Sequence, residues 1–168
     1  VTGREGLRPN KTVSRILDVL VNVMRSIPFL ILLILVIPLT RAIVGKSYGP
    51  SATIVPLTLA AAPFIARLVE SSLEVDKGVI EAAQSMGAGI PTIVIKVMLL
   101  EARSSLLSGL AIALGTILGY SAMAGAVGGG GLGDIAIRYG YNRYQLDIMI
   151  VTVVLLVVLV QLFQTIGM

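Results

Sequence analysis

Residues 104–133 read SSLLSGLAIALGTILGYSAMAGAVGGGGLG, 30 positions without a charged side chain, and residues 148–168 add 21 more. A helix rises 1.5 Å per residue, so about 20 predominantly apolar residues cross a bilayer. Both runs are long enough, although the first closes in a glycine cluster. Of the 168 residues, 56% are hydrophobic and 13% charged. A soluble domain of this size needs a polar coat, and these charges are too few to make one. The fold class expected is an all-α membrane protein, a multi-spanning helical bundle.

Two further apolar segments precede these runs. The first extends over 16–44, with an amphipathic opening, Ile16 to Met24, that can prolong the helix toward the headgroups. Pro28 and Pro38 sit inside it as kinks, tolerated in a membrane where neighbours satisfy the freed carbonyls. The second extends over 51–69, where Pro56 and Pro63 lie seven apart and share a helix face. In the third region, 93–126, Ala111, Gly115 and Gly119 recur every four residues. That small-residue ridge suits close helix packing. The fourth, 148–166, is rich in Val and Leu and reads as a plain lipid-facing or scaffold helix. The connection 125–147 holds Gly128, Gly129, Gly130, Gly131 and Gly133, then a polar stretch with three tyrosines.

The net charge is +4, and its placement beside apolar segments speaks for membrane orientation and against a nucleic-acid partner. Arg4, Arg8, Lys11, Arg15 and Arg25, with Arg67, Lys77, Lys96 and Arg103, put nine basic residues on one side; Arg41, Lys46, Arg138 and Arg143 leave four on the other. By the positive-inside rule the start of the chain and the 70–91 connection face the cytoplasm. The chain begins at Val1 without an initiator methionine and ends at Met168 without a polar tail; both ends are read as cut.

Chemistry is sparse. Cysteine and histidine are absent, which removes disulfides, thiolate metal sites and the commonest general base. No acid lies in the uncharged parts of the spans, so an intramembrane hydrolase lacks its constellation. Gly128, Gly130 and Gly133 fit G-x-G-x-x-G, but no strand–turn–helix unit surrounds them. The glycines are expected to let the backbone turn sharply or pass close to another helix. No cofactor is expected.

The informative connection is 76–91, DKGVIEAAQSMGAGIP. Val79, Ala82, Ala83 and Met86 fall at i, i+3, i+4 and i+7, one helical face. Asp76 is placed to cap the start, Gly87 to supply a left-handed position after the end, and Pro91 to prevent continuation. A short amphipathic helix follows, fit for a partner or for the membrane surface.

EAAQSMG at 81–87 resembles the EAA signature of ABC importer permeases, in which that helix couples to a cytoplasmic ATP-binding subunit. The family pattern continues with apolar residues and usually L-P; here Val97, Met98, Leu99 and Leu100 stand, with Leu100 at the proline. RSIPFLILL at 25–33, IVPLTLAAAPFIAR at 54–67 and GYSAMAGAVGGGGLG at 119–133 resemble the methionine importer permeases. The resemblance implies the type I importer fold of five transmembrane helices per subunit. Four are visible over 1–168, read as one permease domain with the family's first helix missing and 76–91 as its coupling loop. It implies a second copy of the chain, an ATP-binding subunit and an extracytoplasmic methionine-binding lipoprotein as partners, in a bacterial inner membrane. The function implied is methionine import by alternating access, with nucleotide hydrolysed elsewhere. Val79, Glu81, Ala82, Ala83, Met86 and Gly87 are the expected coupling residues. Tyr120, Ser121 and Met123, just after the small-residue ridge, are the expected substrate path. A related importer for another small solute, a channel, a secondary transporter and a structural membrane subunit remain the alternatives. Secondary transporters often carry intramembrane charges and inverted repeats, and neither is seen.

Overall fold

The computed structural model describes residues 10–167; Arg4 and Arg8, which enter the charge count, and Met168 lie outside them. Among the described residues there is no strand. Helix α1 (Lys11–Ser26) opens at Asn10, whose side-chain oxygen accepts the Val13 N–H at 3.2 Å. It ends at Ile27, held extended (φ −83°, ψ 121°) because Pro28 disfavours the helical region for the residue before it. Helix α2 (Phe29–Leu35) then leaves at 100° to α1. This corrects the expectation that Ile16–Met24 prolongs the first span: α1 is a separate helix lying across its neighbour's direction. Helix α3 (Ile37–Val44) follows a local break at Val36, with Pro38 in its first turn.

Helix α4 (Pro50–Ser72) carries Pro56 and Pro63 inside it, both buried. After the short α5 (Lys77–Ser85), helical structure resumes at α6 (Ile90–Thr92), widens into a π-helical turn over Ile93–Met98, and closes with α7 (Leu99–Glu101). Ala102 (φ −77°, ψ −4°) interrupts the run before α8 (Arg103–Ala124). The helix thus breaks close to Leu100 without the family's proline. A 3-10 turn at Gly125–Val127 leads into α9 (Gly131–Ile135), a second π-helical turn at Ala136–Tyr141, and α10 (Leu146–Gly167). The connection expected to be glycine-rich and then polar is therefore largely helical, and α9 folds back along α8.

Helices α4, α8 and α10 are each long and apolar enough to cross a membrane. At 1.5 Å per residue, the 23 residues of α4 span roughly 34 Å. Helix α8 sits between the other two. On one side Gly109 meets the Leu68 side chain so closely that a Cβ has no room, and Ser105 Oγ donates to Ser72 Oγ at 3.0 Å. On the other, a Cβ at Gly115 would stand 3.2 Å from Gln164 Nε2 and 3.6 Å from Val160 Cγ1 of α10. Where α2 packs on α4 and α8, Phe29, Leu33 and Ala124 form a buried cluster with Leu57, Ala60, Tyr120 and Val127 around it.

Candidate functional site

Helix α5 is held at both ends. The Asp76 carboxylate accepts the Gly78 N–H at 2.7 Å, capping the N-terminus. At the other end the Gly87 N–H donates to the Gln84 carbonyl at 2.9 Å, and the Ala88 N–H reaches the Ala83 carbonyl at 3.1 Å. This bond pair is the Schellman arrangement, which needs a left-handed residue after the cap. Gly87 supplies it with φ +79°. Both boundaries expected for this helix are present in the backbone.

The expected four-residue face is not a single face. Ala83 is 5% exposed and packs with Ile93 and Met98 of the π-helical turn, with Ile80, Ala88, Val75 and Leu73 around them. Val79, Ala82 and Met86 remain exposed, Met86 at 82%. Glu81 is exposed beside them. Ala83 is thereby corrected from a docking residue to a packing residue. Its burial follows from the Schellman turn, which folds Ala88 back over the last helical turn and closes the inner side. Gly87 serves through its backbone.

The end of α4 is tied to α1. Arg67 donates to Glu70 Oε2 at 2.6 Å and to Asn22 Oδ1 at 3.1 Å, and lies 3.2 Å from Asp18 Oδ1. From the sequence Arg67 marks only the end of a span. Nothing in the local sequence signals partners about 45 positions away.

The three path residues are not brought together. At 100° per residue, Ser121 and Met123 stand roughly 160° apart around α8. Tyr120 belongs to the internal cluster: its ring stacks on Phe29 at 4.8 Å between centroids and 11° between planes. Ser121 falls on the exposed side that carries Leu107, Leu110 and Leu114. Met123, 47% exposed, shares the other open side with Ser108, Ile112 and Gly119. The large-residue side suits lipid; the side with small residues admits a close neighbour or a solute. Of the expected ridge, Ala111 is buried and Gly115 meets α10, whereas a Cβ at Gly119 meets nothing within 4 Å. Gly119, expected on the packing ridge, meets no neighbour among the described residues of the chain. A second small-residue pair, Gly109 and Ala113, packs toward α4 and was missed by sequence reasoning; its i, i+4 spacing was the available signal.

The glycine cluster is a backbone crossing. A Cβ on Gly133 would overlap the backbone of Ala122, and one on Gly125 the backbone of Gly133 and Asp134. A Cβ on Gly129 would come 2.8 Å from Thr53 Cγ2 on α4. Asp134 and Arg138 pair across one turn at 2.9 Å. The expectation of sharp turning and close passage holds, and the partner passed is the end of α8 itself.

Helices long and apolar enough to cross a membrane, joined on one side by a short, doubly capped helix with an open apolar face, describe a multi-pass membrane subunit. The chain belongs to the family of binding-protein-dependent transport system inner membrane components, whose model matches residues 1–167. It is 56% identical over 167 residues to the probable D-methionine transport system permease protein MetI of Vibrio cholerae, covering 99% of this chain and 74% of the relative. It is 45% identical over 168 residues to the methionine import system permease protein MetP of Bacillus subtilis, covering 99% and 76%. Among solved structures it resembles an inward-facing form of the MetNI methionine ABC transporter, with a TM-score of 0.95 and 51% identity over 99% of this chain and 78% of that one. The protein is a multi-pass component of the bacterial inner membrane.

Proposed function

We infer that this chain is the permease subunit of an ATP-driven importer that carries methionine into the cytoplasm by alternating access. The observation that carries the reading is the likeness over nearly the whole chain to relatives described as methionine permeases. An ATP-binding subunit docks on the open face of α5, through Val79, Ala82 and Met86 with Glu81 at the rim. A second copy of the chain completes the path, and an extracytoplasmic methionine-binding lipoprotein delivers the solute. Nucleotide hydrolysis belongs to the ATP-binding partner. Closure of that partner displaces α5, and the caps at Asp76 and Gly87 keep the helix from fraying as it is pushed.

The test is uptake of labelled methionine into vesicles holding the chain with its ATP-binding partner and binding protein. Uptake is expected to require ATP on the side of the ATP-binding partner. Accumulation without ATP, or of another solute that methionine fails to compete with, overturns the reading. In the same vesicles Met123→Ala is expected to raise the methionine concentration for half-maximal uptake by roughly four-fold for each methylene-sized group removed from the wall of the path. Assembly and basal ATPase activity are expected to stay near those of the unaltered protein. Unchanged methionine handling moves the path away from Met123.

The sidedness follows from the basic residues. Because the chain has no native cysteine, Gln84→Cys gives a single exposed thiol on α5. An impermeant maleimide is expected to label it in inverted vesicles and to leave it unlabelled in sealed cells. Labelling in sealed cells reverses the topology.

A further inference from the structure

Helix α1 has a composition and a placement that transport as such does not require. Val13, Ile16, Leu17, Leu20 and Val23 fall within roughly 120° of arc at 100° per residue, and all five are exposed. Lys11, Arg15 and Arg25 fall on the opposite arc and are also exposed. The acid among them, Asp18, shares Arg67 of α4 with Glu70, so that cluster keeps one negative charge and the three basic groups still leave this part of the molecule net positive. The helix meets α2 at 100°, and α2 is apolar throughout. A helix turned 100° from the apolar segment that follows it, apolar on one side and basic on the other, with little hydrophobicity overall, has the character of an element lying in a membrane interface.

We propose that α1 lies in the leaflet on the α5 side of the bilayer and recognises anionic phospholipid headgroups through Lys11, Arg15 and Arg25. The apolar arc enters the acyl boundary, and the three cations stand at headgroup level. The occupant is chosen by charge: a zwitterionic headgroup has no net charge to answer three exposed cations, whereas a phosphodiester such as that of phosphatidylglycerol has. The link from Asp18 and Asn22 to Arg67 places this lipid contact one short segment from α5. The proposal rests on the membrane location of the family and is independent of which solute is carried.

The experiment uses the complete transporter in vesicles of phosphatidylcholine and phosphatidylglycerol. Leu20→Cys is labelled with a fluorophore, and quenching is compared between nitroxide-bearing phosphatidylglycerol and nitroxide-bearing phosphatidylcholine. A basic side chain near an anionic surface favours it by about five-fold. Half-quenching is therefore expected at a mole fraction of the anionic lipid at least about five-fold below that of the zwitterionic one. The triple variant K11Q/R15Q/R25Q is expected to lose this preference while phosphatidylcholine still quenches. In the unaltered basic background, about 1 M salt, where screening acts within about 3 Å, is expected to erase it too, which keeps the test sound should the triple variant fail to assemble. Equal quenching by both lipids overturns headgroup recognition, as does a preference that survives the triple substitution or the salt. Absence of quenching by either lipid shows that protein covers the apolar arc, another segment or a second copy, and overturns the interfacial placement.

Discussion

Gly133→Ala is expected to lower stability by about 3 kcal/mol, the upper part of the range for overpacking a well-filled site. The added Cβ would lie 2.6 Å from the Ala122 carbonyl carbon and 2.7 Å from its Cα, and closer still to the carbonyl oxygen. These are backbone atoms, so no rotamer change relieves the overlap; α9 must move off α8. In detergent this should appear as a fall of the thermal midpoint by several degrees. Gly119→Ala is the control. It adds a Cβ where nothing stands within 4 Å, and it gains up to about 1 kcal/mol in helix propensity. The single chain should tolerate it. A midpoint for Gly133→Ala equal to that of Gly119→Ala would refute the backbone crossing.

The second large effect separates packing from docking on α5. Ala83→Asp introduces a carboxylate at a position 5% exposed against Ile93 and Met98. An unpaired charge there costs several kcal/mol, so the α5–π-turn unit is expected to come apart and little assembled transporter to be recovered. Met86→Asp places the same charge at a position 82% exposed. Its fold and membrane insertion are expected to stay intact, while uptake and the stimulation of ATPase activity by substrate are lost, because the charge enters a contact desolvated only on docking. Full uptake by Met86→Asp would remove the docking assignment. An unchanged thermal midpoint for Ala83→Asp would remove the packing one.

What is legible in the residues follows their physics. Uncharged length announces a span, so α4, α8 and α10 can be expected from composition alone. Caps are local, so Asp76 and Gly87 can be placed from residue type and spacing. Direction is not local. Pro28 has the same chemistry in a mild kink and in a 100° turn, and the decision rests with what α1 packs against, through Asp18, Asn22 and Arg67. Period alone also cannot rank two overlapping apolar faces. Ile80 and Ala83 compete with Val79, Ala82 and Met86, and the winner is set by Ile93 and Met98, which come later in the chain. The path residues separate for a simpler reason. Tyr120, Ser121 and Met123 are close in sequence, but residues two apart on a helix point nearly opposite ways. The glycine connection reads as loop because glycine is a poor helix former; in the fold, close approach to α8 outweighs that preference.

The two π-helical turns, Ile93–Met98 and Ala136–Tyr141, have a consequence for how the chain length can vary. A π turn holds more residues over the same arc than an α turn. Deleting one residue inside such a turn lets it relax to α geometry while the flanking helices keep their phase. In the first turn of α8, by contrast, a one-residue deletion rotates everything beyond it by about 100° and shortens it by about 1.5 Å, taking Gly109 away from Leu68 and Gly115 away from Gln164. Natural length differences of a single residue within the helical parts of this family should therefore gather at these two turns.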